Sequence, residues 1–226
     1  MSIGTLAENS LHAALKQWYA QPQDQLEVPF NGFVIDILRG QQLIEIQTGS
    51  FSSIKSKLQR LLDQHLIRLV HPVAQERWIL RPDGDRARRK SPKHGRIEQV
   101  FAQLVYIPTL VTHPNFSLEV VLTREEEIQR DDGKGSWRRR RWSIADRVLI
   151  EVVEQKLFAS PADYAACLPA ALPQPFTNQD LAEALRLRPA LAQKMTYTLR
   201  QMGLLQVVGK QGRSLLYTQE TPKQSL

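Results

Sequence analysis

Apolar and polar positions alternate in short runs between Leu26 and Thr48, and two glycine-bearing turns interrupt them. That pattern predicts three short strands. Before them, Leu11, Leu15 and Trp18 recur at helical spacing, which predicts a helix over Thr5–Ala20. After them, Ser50 can cap a helix whose apolar face is Phe51, Ile54, Leu58, Leu61 and Leu62. The run IRLVHPV, Ile67–Val73, reads as a buried strand, and ERWILR, Glu76–Arg81, as another. Strand, helix, strand at that spacing predicts a parallel unit with a right-handed crossover.

The middle of the chain is less regular. Arg96–Thr112 predicts a helix up to Pro108. FSLEVVLT, Phe116–Thr123, and RVLIEVVEQKLF, Arg147–Phe158, read as two strands or as a strand and a helix. The polar stretch GKGSWRRRRWS connects them. The proline-rich LPAALPQP, Leu168–Pro175, marks a domain boundary. Beyond it Thr177 and Asp180 form a capping-box pattern, Asn178–Leu185 a helix, and Pro189 the first turn of the next. Ala192, Met195, Leu199 and Met202 give that helix an apolar stripe, and Gly203 ends it. LLQVV, a GKQG turn and SLLYT predict a hairpin. The order resembles a winged helix-turn-helix domain over roughly Thr177–Thr218, with an earlier helix at Pro161–Leu168.

The turns in the first region set a register. Asn31-Gly32 is a strong hairpin signal, and Gly40 suits the first central position of a type II′ turn. In a two-residue turn at Gly40-Gln41, paired residue numbers sum to 81, so Asp36 faces Glu45. At Asn31-Gly32 they sum to 63, so Glu27 faces Asp36. Pro29 then requires the first strand to lie at the sheet edge. Three carboxylates would form a row, with Cβ atoms roughly 5 Å apart. Like charges in that position are destabilising. They need protonation or a bound cation, and an oxygen-rich site suits Mg²⁺. The alternative is a solvated strand face shared by Arg39 and Gln47.

Charge widens the picture. The 226-residue chain carries a net charge of +7, with 42% hydrophobic and 23% charged residues. Its pI of about 9.7 favours a polyanionic partner such as nucleic acid. Basic residues cluster in Arg81–Arg96, where Arg86, Arg88, Arg89, Lys90 and Lys93 are candidates for phosphate contact. A second cluster, Arg138, Arg139, Arg140 and Arg141, lies between Trp137 and Trp142. Acids collect elsewhere, in Glu125–Glu127 and Asp131–Asp132. Arginine forks bind phosphate and tryptophan can stack on bases; a solvated basic loop is the other reading. With one cysteine, Cys167, no internal disulfide can form. No apolar run is long enough for a membrane span, and the N-terminus lacks a signal-peptide pattern, so a cytoplasmic protein is expected. The five histidines show no metal spacing, and no GxxxxGK[ST], GxGxxG or GxSxG chemistry is present.

Asp36, then Glu45-Ile46-Gln47, then a helix and a strand resembles the PD-(D/E)XK nuclease superfamily. Restriction endonucleases and Holliday junction resolvases share that core. The resemblance covers about Thr5–Pro72, roughly a third of the chain. It implies an α/β fold, a restriction-endonuclease-like mixed sheet flanked by helices over residues 1–160. A small winged helix domain would follow over 161–218, then a tail, 219–226.

The resemblance also implies roles. Asp36 and Glu45, with the main-chain carbonyl of Ile46, would hold Mg²⁺ or Mn²⁺, and the register adds Glu27 to the metal site. The metal would polarise the scissile phosphate and help generate hydroxide. Gln47 stands where most members have lysine. Glutamine is no general base, but it can orient a water. Lys55 would supply the missing positive charge, or is simply a solvated helix residue. Glu8 would join the metal site, since the first helix of the superfamily often gives a glutamate; it equally fits a capping box with Thr5. In the winged helix, Gln193, Lys194, Thr196, Tyr197 and Arg200 lie off the apolar stripe, where they would enter a major groove. Lys210 and Arg213 on the wing would meet phosphate.

The expected activity is metal-dependent hydrolysis of DNA phosphodiesters, in restriction, defence or repair. A non-catalytic DNA-binding regulator with an inactive nuclease fold is the second expectation, supported by Gln47. A protein-interaction module with an incidental basic surface is the third. A homodimer follows by analogy alone.

Overall fold

The computed structural model describes residues 10–81, 88–137 and 141–220. The chain is α/β, a mixed sheet flanked by helices. Seven described strands make the sheet: β1 (Gln25–Phe30), β2 (Phe33–Arg39), β3 (Gln42–Ile46), β4 (Leu66–Leu80), β5 (Arg88–Lys90), β6 (Phe116–Arg130) and β7 (Ser143–Phe158). Their order is β1-β2-β3-β4-β6-β7, and β5 adds to β4.

Local sequence explains the first hairpins. Asn31 and Gly32 both take positive φ (47° and 79°), the backbone of a type I′ turn. Gly40 has φ = 57° while Gln41 does not share the positive region, as a type II′ turn requires. Arg39 pairs with Gln42 and Ile37 with Ile44, so the sum of 81 holds. Helix α1 (Ser10–Tyr19) lays Leu11 and Leu15 onto Ile37, Ile44 and Ile46, with Val70 and Val121 completing the cluster. Each of these side chains contributes about 2 kcal/mol by leaving water. At the end of α1, Arg39 donates to Asp24 and to the Tyr19 carbonyl, fixing the helix to the hairpin. The Arg39 guanidinium holds the Asp24 carboxyl below its ordinary pKa.

The expected strands at 67–73 and 76–81 are one continuous strand, β4, which runs through the buried Pro72. Arg77 reaches Glu125 and Arg81 reaches Gln129, both 48 residues on, so β4 and β6 run parallel. Arg124 reaches Glu151 and Ser143 reaches Asp132; both pairs sum to 275, so β6 and β7 are antiparallel. The ambiguous segment 147–158 is therefore strand. Its pattern of apolar residues suited either state, and pairing with β6 decides it.

The chain divides into two compact units. The first takes the described residues of Met1–Thr48, Leu69–Ile97 and Glu119–Lys156. The second takes those of Gly49–Arg68, Glu98–Leu118 and Leu157–Leu226. The second unit thus holds more than the segment after residue 160. It includes α2 (Lys55–Leu61) and α3 (Phe101–Leu104), followed by α4 (Pro161–Ala165), α5 (Asn178–Leu185), α6 (Pro189–Gln201) and the hairpin β8 (Leu205–Gln211), β9 (Ser214–Gln219). Thr177 and Asp180 close a reciprocal capping box on α5, and Ser160 and Asp163 do so on α4. Ala192, Met195 and Leu199 are fully buried, as the stripe predicts. The hairpin turn is at Gly212-Arg213 rather than at GKQG, because a register shift between Val207 and Gly209 carries β8 through Lys210.

Candidate functional site

The expected row of three carboxylates is broken at Glu27. On either side the register sums to 63, with Leu26 opposite Ile37 and Val28 opposite Ile35. The rung between them is absent from the ladder. Glu27 has φ = 54°, a left-handed conformation that costs a non-glycine residue about 1–2 kcal/mol. Its carboxylate accepts a 2.7 Å hydrogen bond from Nζ of the buried Lys16 on α1. Lysine, not a cation shared with Asp36, answers the charge of Glu27.

Asp36 and Glu45 sit where the β2–β3 ladder ends. The last paired rung is Ile37 with Ile44, one short of the two acids. The Ile46 backbone N–H donates instead to Asp36 Oδ2 at 2.8 Å. His12 Nε2, from α1, lies 3.2 Å from the same oxygen. His12 precedes Lys16 by one helical turn, so one face of α1 carries a basic group to Asp36 and another to Glu27. The sequence signal for His12 was this spacing to Lys16, read only once the acids are placed. Glu45 is buried, at 7% exposure.

Among the described residues, no three His, Cys, Asp or Glu side chains gather as a metal-binding group. Magnesium does not demand three. It keeps several waters and is held by one or two carboxylates, so Asp36, Glu45 and the Ile46 carbonyl fit it as hard oxygen donors.

Gln47 is held by its backbone on both sides. Its N–H donates to the Val70 carbonyl at 2.8 Å. Its carbonyl lies 2.6 Å from Nδ1 of His71. A carbonyl only accepts, so Nδ1 carries the proton. Burial outweighs that hydrogen bond and pushes the His71 pKa down to about 4, which leaves the ring neutral at pH 7. Lys55 is the exposed first residue of α2, in the second unit. Glu8 lies outside the described residues.

Two cations of the first basic segment, Arg88 and Lys90, meet acids in space, which their sequence surroundings did not predict. Arg88 pairs with Glu126 and Lys90 with Glu76, and both cations lie over the Trp78 ring. Arg77 pairs with the buried Glu125 and Glu127. Arg124 bridges Glu76 and Glu151. The acids collected at 125–127 therefore serve the neighbouring strands. Arg89 and Lys93 are exposed, and Arg86 lies outside the described residues. Arg138, Arg139 and Arg140 also lie outside them. Arg141 is exposed with φ = 66°. Of the flanking tryptophans, Trp137 is 80% exposed, whereas Trp142 lies beneath the Arg81 guanidinium at 4.7 Å.

The second unit presents its own basic surface. Gln193, Tyr197 and Arg200 are exposed at i, i+4 and i+7 of α6, and Lys194 is half-buried beside them. Thr196 does not belong to this face. It is fully buried and its hydroxyl donates to Asn178 Oδ1 at 2.6 Å. Lys210 is exposed within β8, and Arg213 is exposed in the hairpin turn.

Residues 9–159 match the family described as a domain of unknown function, DUF8091. The chain belongs to the DUF8091 family. The DUF8091 match spans α1 through β7, including His12, Asp36, Glu45, Gln47 and His71, and ends before α4. An uncharacterized protein of Treponema pallidum (strain Nichols) is 33% identical over 98% of this chain and 89% of its own length. That similarity extends past the DUF8091 region into the helices and hairpin of the second unit. No solved structure matches the chain. No helix among the described residues is long and apolar enough to cross a membrane.

Proposed function

We propose that the protein is a metal-dependent DNA endonuclease of the PD-(D/E)XK type, with a restriction-endonuclease-like core and a winged helix that binds DNA. The reading rests chiefly on the Asp36–Ile46 hydrogen bond. It joins the lone aspartate of β2 to the backbone between Glu45 and Gln47, so the Asp…Glu-x-Gln pattern forms one local structure.

In this reading Asp36, Glu45 and the Ile46 carbonyl hold Mg²⁺ or Mn²⁺. A cation held by these oxygens would supply Lewis-acid polarisation of the scissile phosphate and a more acidic water. Gln47 orients that water through its side-chain amide. His12 and the Ile46 amide fix the Asp36 carboxylate. Glu27 is a structural partner of Lys16 and is not assigned to the metal. The exposed face Gln193-Tyr197-Arg200 enters a groove, while Lys210 and Arg213 meet phosphate. Arg141 adds a further phosphate contact.

A second reading is a DNA-binding protein that no longer cuts. Gln47 favours it, because glutamine cannot take a proton from water. Incubation with linear, supercoiled, single-stranded and branched DNA in Mg²⁺, Mn²⁺ or EDTA separates the two. Metal-dependent cutting is the expected result. Binding without cutting in every metal supports the second reading.

A further inference from the structure

Pro72 lies buried inside β4, between strands on both sides. Proline has no N–H and leaves one ladder acceptor without its backbone donor. The acceptor follows from the register. Strands β3 and β4 are neighbours joined through α2, the connection that parallel strands use. In a parallel ladder, a residue donates to one carbonyl of its neighbour and accepts from the amide two residues further along. Gln47 donates to Val70. The amide that would answer the Gln47 carbonyl is therefore that of residue 72, which is proline.

His71 occupies the gap. Its Nδ1–H reaches the Gln47 carbonyl at 2.6 Å. We propose that His71 is a positioning residue for Gln47, giving through its side chain the hydrogen bond that Pro72 cannot give through its backbone. The backbone of Gln47 stays fixed at the point where β3 ends and the chain departs. A fixed backbone fixes the origin of the Gln47 side chain, and with it the carbonyl of Ile46 one residue earlier. The role in catalysis rests on the nuclease reading; the replacement of an amide by an imidazole does not.

An imidazole can present either tautomer, and a charged ring would donate from both nitrogens. Burial keeps this one neutral, and the carbonyl selects the Nδ1–H form. The donor is thus as constant as an amide across the physiological range.

The test uses the full chain and the DNA that the wild type cuts, in Mg²⁺ or Mn²⁺. His71→Leu is expected to lower kcat about 10- to 100-fold with KM little changed. Adding Pro72→Ala to His71→Leu restores a backbone donor and is expected to recover most of the loss. His71→Asn keeps a donor at similar reach and is expected to do the same. In a Gln47→Ala background, His71→Leu is expected to add no further loss, because the two act as a unit. An undiminished His71→Leu effect in that background would overturn the proposal, as would failure of Pro72→Ala to rescue. Hydrogen exchange gives a readout independent of activity. In the His71→Leu/Pro72→Ala double variant the new amide at position 72 is expected to exchange slowly, and rapid exchange contradicts the proposed replacement. Absence of cleavage by the wild type sinks the nuclease reading and the catalytic role together, while exchange at position 72 still decides the replacement.

Discussion

The Ile46 amide donates to the Asp36 carboxylate at 2.8 Å, in the position where a strand ladder would otherwise continue. A side chain thus closes the β2–β3 hairpin at its far end. An acid used this way is held in place, as a cation ligand must be. Asp36→Asn tests the two duties separately. It retains a side-chain acceptor for Ile46 and removes the charge. Cleavage is expected to fall below detection while the thermal midpoint changes by only a few degrees. Equal losses in both would assign Asp36 a structural role alone.

Glu27 gives a test of strain. Its φ of 54° suits glycine. Glu27→Ala and Glu27→Gly both remove the contact to Lys16, and only the second relieves the backbone. Denaturant midpoints are expected to place the glycine variant about 1 kcal/mol above the alanine variant. Both are expected to retain metal-dependent cleavage, since Glu27 is not assigned to the metal.

His71 makes stability depend on pH. Its folded pKa of about 4 lies below the ordinary value of 6.5, so the unfolded chain binds the proton first as pH falls. Stability is therefore full above pH 6.5 and declines between 6.5 and about 4. The decline amounts to about 3 kcal/mol at most. Urea midpoints at several pH values, compared with those of His71→Asn, check this. A wild-type profile no steeper than the variant's over that window would contradict a buried neutral ring.

The local turns and caps were legible in sequence because their causes are local. Asn31-Gly32, Gly40 and the Thr177–Asp180 box each act within four residues. The register of Ile37 with Ile44 followed from the turn by arithmetic. Three features were hidden. The left-handed Glu27 depends on Lys16, eleven residues away on another element. The neutralisation of Arg77, Arg88 and Arg124 depends on strand partners at long range, which composition cannot supply. The unbroken β4 depends on a donor that replaces the proline amide, and nothing in the spacing of His71 marks it as that donor. Thr196 departs from the expected groove face for a different reason. Its polarity suggested solvent, while a buried bond to Asn178 satisfies it.

The exposed cations of the second unit carry a prediction for binding. Arg200→Ala and Arg213→Ala are expected to weaken DNA binding about equally for all sequences. Each is expected to reduce the slope of log affinity against log salt by about one. Fluorescence anisotropy over a salt series measures both quantities. An unchanged slope would remove those residues from the phosphate contacts.

The most direct test of the metal site is calorimetric titration of Mn²⁺ into the full, metal-free protein. The wild type is expected to bind Mn²⁺ at a site that Asp36→Ala and Glu45→Ala each abolish and Glu27→Ala leaves in place. Equal binding by all four proteins, or none by the wild type, would contradict a cation site at Asp36 and Glu45.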